Sequence, residues 1–271
     1  KKMNEEGLFS EFPEVSAKAW KQKIQFGLQG ADYNETLVWE SPEAIKVKPF
    51  YSAEDLEGQP EYPCALPQHW SIAQEIYGGD AKQANKKAQR VLLNGAESLV
   101  FKIPTNDIAV ETLLAGIDLS QVPIHLDLQF LSASYVKKIS DFVKDKPHNL
   151  QLHTDIIGNL TRTGNWFYNL NEDHRILGEI LSQSDFPALS IDATLYQNAG
   201  ANIVQQLAYS LAHANEYLNH FDAKFVLPIN FKVAVGGNYF FEIAKLRALR
   251  LLWDTLASEY GISSDCRIIA Q

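Results

Sequence analysis

The sequence predicts a TIM-type (β/α)8 barrel truncated to about six βα units, with an N-terminal extended arm. Three observations lead there. From about residue 68, strand-like and helical segments alternate at a spacing of roughly 25 to 40 residues, the rhythm of βαβ units and a parallel sheet. The strand-like runs alternate apolar and polar residues. The central strands of an open, doubly wound sheet are covered on both faces and read as unbroken apolar runs instead. The first sixty residues lack this rhythm altogether.

Within the arm, residues 16–28 carry Ala17, Trp20, Ile24 and Leu28 at helical spacing and then meet Gly30. Two short β-like pieces follow, 35–39 and 45–49, joined by the turn-like stretch 40–44, and a polar, Pro-rich stretch runs from 51 to 67. The apolar residues Leu8, Phe9, Phe12, Trp39 and Phe50 lie in segments too short to build a core, so residues 1–60 read as a contact surface. Residues 61–271 read as the partial barrel. Its strands are expected at 97–104, 123–130, 149–156, 188–196, 225–235 and 266–271, with helices at 80–93, 134–143, 172–181, 201–221 and 240–260. Six strands are fewer than the eight such a barrel needs, so the chain is expected to stop before closure.

The alternation assigns one face of each strand to a bore. Lys102, His125, Asp127, Gln129, Gln151, His153, Asp155, Ser190, Asp192, Thr194, Asn230 and Lys232 fall on the polar side. A TIM barrel normally packs branched apolar residues there. A polar bore is therefore either hollow and occupied, or plugged by a polar network. The expectation is a plug, with Lys102 and Lys232 meeting Asp127, Asp155 or Asp192, because buried charges must be paired.

Composition narrows the function. There are 33 acidic against 24 Lys and Arg residues, for a formal net charge of −9, and no basic run, which disfavours nucleic acid. No apolar stretch approaches the ~20 residues of a membrane span, and the N-terminal KKMNEEGLFSEF has no apolar signal core and reads as a native start with a short leader. Two distant cysteines, Cys64 and Cys266, make neither a disulfide framework nor a metal spacing, which points to a reducing cytoplasm.

The segment GGNYFFEIAKLRALRLLW at 236–253 resembles a stretch of the methylmalonyl-CoA mutase family, with Glu242, Lys245, Arg247, Arg250 and Trp253 in place. QNAGANIVQQLAYSLAHA at 197–214, followed by Glu216 and Tyr217, resembles the family's Ala-Gly helix, and HWSIAQ at 69–74 its Pro-Trp-Thr-Ile-Arg-Gln. LFSEFP at 8–13, VWE at 38–40 and IKVKPFY at 45–51 resemble the arm of the small subunit. The resemblance implies a (β/α)8 barrel followed by a cobalamin-binding domain, the latter expected to be absent here. It implies interconversion of methylmalonyl-CoA and succinyl-CoA in propionate metabolism, with the CoA tail threading the bore in catalytic members.

The departures imply a non-catalytic subunit. Where the resemblance places a Tyr-His pair, this chain has Thr194 and Leu195; where it places the Arg and Tyr that hold and steer the substrate, Ala73 and Glu75; where it places a CoA-contacting Arg, Pro228. A leucine donates no hydrogen bond, so electrophilic assistance is lost. No cofactor is expected on this chain. Adenosylcobalamin is expected in the catalytic large subunit, its heterodimeric partner. The cobalamin signature Asp-x-His-x-x-Gly is missing, and the adjacent Asp173-His174 reads as a helix cap.

Other residues have bland and sharp readings. Gly236-Gly237 suits a tight turn better than a phosphate cradle, since no third glycine or Lys-Ser/Thr follows. His213 and His220, seven apart on one helix, read as surface or interface residues with no third ligand in register. Leu246, Leu249, Trp253 and Leu256 form a core stripe. His153, Asp155, Asp192 and Lys232 at strand ends fit a satisfied network, or alternatively the catalytic set of a stand-alone lyase or isomerase, or a module holding a small acid in its bore.

Overall fold

The computed structural model describes residues 12–13, 15–58, 69–221, 228–262 and 265–271. Leu8, Phe9, Cys64 and the first residues of the 225–235 run lie outside them. The chain divides into two compact units, Lys1–Pro63 and Cys64–Gln271.

In the first unit, helix α1 (Ala17–Gly27) starts where the Ser16 hydroxyl accepts the Ala19 N–H. Residues 35–39, expected as β, are instead largely helical. Asp32 caps α2 (Tyr33–Leu37) by accepting the Asn34 and Glu35 N–H groups, and this local cap outweighs the β-branched residues that follow. Strands β1 (Trp39–Glu40) and β2 (Lys46–Val47) pair antiparallel.

The second unit is α/β, and its described strands are all parallel. They are β3 (Ala73–Tyr77), β4 (Ser98–Ile103), β5 (Ile124–Leu128), β6 (Leu150–His153), β7 (Leu189–Asp192), β8 (Ile229–Val233) and β9 (Arg267–Ala270). The described strands thus number seven rather than six. Ala73–Tyr77 escapes prediction because only Ile76 among its residues is buried, so it shows no apolar run. Strands β3 to β6 form one sheet and β7 to β9 another. The Leu152 N–H donates to the Pro187 carbonyl at 2.7 Å and the Ser190 N–H to the Thr154 carbonyl at 3.2 Å, bridging the two. No pairing between β3 and β9 occurs among the described residues, so they form a curved wall and not a closed barrel.

Alternation sets the packing. Leu99, Phe101, Ile103, Ile124, Leu126, Leu152, Leu189, Ile191, Ile229 and Phe231 are buried on the outer face. The helices α3 (Ala81–Leu93), α5 (Ala133–Val143), α7 (Leu170–Gln183) and α9 (Ile203–His220) each turn buried apolar or small residues toward the same core, as does α10 (Tyr239–Glu259). The short α4 (Val110–Leu113) does likewise. Trp253 of α10 meets Phe231 edge-on with ring centroids 5.2 Å apart.

Two predicted strands end early. Asp155 is the N-cap of α6 (Ile156–Thr163), and Thr194 opens α8 (Thr194–Asn198), so neither lies on a strand. Both ends are set by aspartates, Asp155 and Asp192, whose side chains accept the N–H groups of the residues that follow.

Candidate functional site

The polar side of the wall encloses a cavity of about 180 Å³ that touches every strand from β3 to β9. It sits toward the C-terminal ends of β5 to β9, where successive βα turns bring side chains from separate units together, and reaches the start and middle of β3 and the middle of β4 through Ala73, Glu75 and Val100. His153, Asp155, Asp192 and Lys232 all line it, as do Ala73 and Glu75 of β3. Thr194, Leu195 and Pro228 do not. Thr194 turns its hydroxyl and N–H to Asp192 Oδ1, at 2.5 and 3.1 Å, and Leu195 follows it into α8.

The ion pairs differ from those expected. Lys102 Nζ meets Glu75 at 2.9 Å, because Tyr77 and Lys102 pair in register and bring β3 beside it. Asp192 is taken by Arg162 at 3.0 Å. Lys232 has no carboxylate within ion-pair distance among the described residues. Arg162 was not foreseen, because α6 follows β6 directly and is short. The signal was nonetheless present, in a capping Asp155 at one end and Gly164, left-handed at φ 77°, at the other.

Asp155 is held on all sides. It accepts the Gly158 N–H at 2.7 Å, the Asp192 N–H at 2.9 Å and the Tyr217 hydroxyl at 2.7 Å, while that hydroxyl accepts the Ile157 N–H at 3.0 Å. Burial, together with the neighbouring Asp155 charge, pushes Tyr217 well above the usual phenol range, so it stays a donor. Asp155→Ala removes a cap and leaves the buried Tyr217 hydroxyl without its acceptor. We expect a loss of at least about 2 kcal/mol in urea unfolding, with Asp155→Asn falling between. A loss below a few tenths would mean that water replaces the carboxylate.

His153, on the cavity wall, shares a hydrogen bond with the buried His125, Nε2 to Nδ1, at 3.0 Å. Burial drives both toward the neutral form. His125 is pushed down to about 4, with Arg267 adding to the effect, and His153 well below its ordinary value, with His125 and Lys232 adding. Asp127 moves the other way. Burial raises its pKa, Asp192 adds to that, and Lys232, Lys102 and Arg162 oppose it. Asn230, 1% exposed on the same face of β8 as Lys232, has no hydrogen-bond partner among the described residues for either side-chain amide atom. The expected plug is therefore incomplete: His125, His153 and Asn230 are buried, and a cavity remains among the polar side chains beside them.

The remaining candidates are structural. Asp173 accepts the Phe167 and Tyr168 N–H groups at 2.8 and 2.9 Å. His174 bonds the Leu170 carbonyl through Nδ1 at 2.7 Å and packs against His220, with centroids 4.2 Å apart. His213 bonds the Tyr196 hydroxyl through Nε2 at 2.6 Å. The Gly236 N–H donates to Glu242 Oε1 at 3.0 Å, which makes the Gly-Gly pair a turn. No group of three His, Cys, Asp or Glu suited to a metal occurs among the described residues, and none of their helices is long and apolar enough to cross a membrane.

Residues 105–270 match the family model described as methylmalonyl-CoA mutase. The chain is 33% identical to the methylmalonyl-CoA mutase small subunit of Porphyromonas gingivalis, over 94% of this chain and 46% of that protein. The chain belongs to the methylmalonyl-CoA mutase family. In Streptomyces virginiae the large and small subunits of methylmalonyl-CoA mutase are each 27% identical to it, over 92% and 94% of this chain and 41% and 47% of theirs. The chain thus spans about half the length of the mutase subunits it matches.

The methylmalonyl-CoA mutase motif at 236–253 serves the fold in this chain. Lys245, 2% exposed, binds Glu242 at 2.5 Å, the Ala234 carbonyl at 2.6 Å and Gln206 at 3.2 Å. Arg250 donates to the Cys266 carbonyl at 2.8 Å.

Proposed function

We propose that this chain is a non-catalytic, small-subunit component of an adenosylcobalamin-dependent methylmalonyl-CoA mutase, and that it supports a catalytic large subunit in a heterodimer. The observation that carries the reading is the cavity wall on β3. At the two positions where the resemblance places a substrate-holding Arg and a Tyr, a methyl group and a carboxylate line the cavity. Ala73 offers no charge, and Glu75, engaged by Lys102, supplies no cation in place of the substrate-holding Arg. Leu195, where the resemblance places a hydrogen-bonding His, stands outside the cavity lining. On this reading cobalamin sits on the other subunit; in support, the Asp-His pair here is engaged locally, Asp173 by the Phe167 and Tyr168 N–H groups and His174 by the Leu170 carbonyl. Cobalamin chemistry, methylmalonyl-CoA/succinyl-CoA interconversion and a place in cytoplasmic propionate metabolism would then belong to the pair of subunits.

In the first unit, Phe12 and Trp39 present large apolar surface to solvent, consistent with a contact surface. Two measurements test the reading. Titration of the purified chain with adenosylcobalamin should leave the visible spectrum unchanged. Co-expression with a large subunit should give a co-eluting pair with mutase activity, and deletion of residues 1–50 should abolish co-elution while preserving the helical signal of the rest. A stoichiometric spectral change with micromolar affinity, or mutase activity of this chain alone, would overturn the proposal.

A further inference from the structure

We propose that the cavity at the strand ends is a binding site for a compact free hydroxy acid, with Lys232 taking the carboxylate and Asp127 the hydroxyl. The inference concerns this chain by itself and does not rest on the subunit reading.

Consider first the charges that line the cavity. Glu75 is matched by Lys102 at 2.9 Å and Asp192 by Arg162 at 3.0 Å. Asp155 is saturated by two backbone N–H groups and the Tyr217 hydroxyl. What remains is one cation and one carboxyl group. Lys232 projects from β8 into the cavity with three N–H donors and no carboxylate within reach among the described residues. Asp127 projects from β5 and receives one side-chain donor, Gln129 Nε2 at 2.8 Å on Oδ1, which leaves Oδ2 without a donor among the described residues. After burial, Lys232 is the strongest influence on Asp127, yet the two form no ion pair. Both line the cavity, and a ligand that accepts from Lys232 while donating to Asp127 fits between them.

A second, independent observation is Asn230. It lies two residues before Lys232 on the same face of β8, about 7 Å lower along the strand, beside Ser190, which lines the cavity. Its amide oxygen and nitrogen are both buried and both lack partners among the described residues, where buried amides are ordinarily satisfied. A polar ligand group, or a water held beneath the ligand, would satisfy them. The buried His125, bonded to His153 on the cavity wall, fills the space on that side, which favours a short molecule over a threaded chain.

The test uses the full 271-residue chain with four probes: 3-hydroxybutyrate and lactate, butyrate lacking the hydroxyl, and glycerol lacking the carboxylate. Thermal shift and saturation-transfer NMR are the readouts. At millimolar concentration the hydroxy acids should raise Tm, butyrate should do so less, and glycerol not at all. Lys232→Met should weaken the better hydroxy acid at least about tenfold, and Lys232→Arg should retain it. Cooperative unfolding of each variant establishes that it is folded. If neither hydroxy acid binds, if glycerol binds as well as they do, or if folded Lys232→Met binds unchanged, the assignment is wrong.

Discussion

Lys245→Met is expected to cost about 3–5 kcal/mol of folding stability, the range for breaking a buried ion pair by removing one partner. Lys245 and Glu242 are 2% and 6% exposed, one turn apart at the start of α10. The ammonium binds the Glu242 carboxylate, the Ala234 carbonyl and the Gln206 amide oxygen, while the other Glu242 oxygen takes the Gly236 N–H. These bonds tie the turn after β8 to two helices. Methionine fills similar volume but leaves a carboxylate, a carbonyl and an amide oxygen without their donor. The double variant Glu242→Leu with Lys245→Met should recover part of the loss, because it removes the stranded charge. Urea unfolding of the two single variants and the double variant gives the coupling. A single-variant loss under 1 kcal/mol would show that water reaches the pair.

The second large effect is acid destabilisation through the histidine pair. The folded pKa of His125, about 4, lies below its ordinary 6.5. As pH falls through 6.5 the unfolded chain takes up a proton that the folded chain refuses. Stability present above pH 6.5 is therefore lost progressively down to about pH 4, by about 3 kcal/mol for His125 alone. His153 adds a loss of the same sign. Asp127 has the opposite sign, since its raised pKa lets the folded chain bind a proton before the unfolded chain does as pH falls toward its ordinary 3.8, offsetting part of the loss at the low end. Urea midpoints at neutral pH and near pH 5 measure the slope. His125→Gln keeps a group able to bond His153 and should flatten that slope. Equal slopes in the variant and the parent chain would rule the pair out as its source.

Much of the second unit was legible because its strands announce themselves twice, by β-rich composition and by alternation. His125, Asp127 and Lys232 were placed on the polar side by parity alone, and the structure puts Asp127 and Lys232 on the wall of one cavity. Parity does not set partners. Lys102 pairs with Glu75 because of strand register, and Arg162 enters from a helix, so neither pair could be read from a strand pattern. The missed β3 has the opposite problem, since a strand with one buried residue carries almost no pattern, although its resemblance to the family marked the same residues. Residues 35–37 fail for a third reason: a single capping aspartate redirects Tyr33–Leu37 into a helical turn, while Trp39 keeps its expected place on a strand.

The division of each strand into a buried outer face and a polar inner one separates what holds the protein together from what it can bind. Leu126 and Phe231 belong to the shared packing, whereas their chain neighbours Asp127 and Lys232 face the cavity. Substitution on the inner face can therefore proceed one residue at a time without dismantling the core, provided each new charge finds a partner. A protein built this way has an evolutionary freedom that a bore filled with branched apolar side chains does not. It can exchange one ligand chemistry for another, or relinquish chemistry altogether, and still be inherited as the same shape.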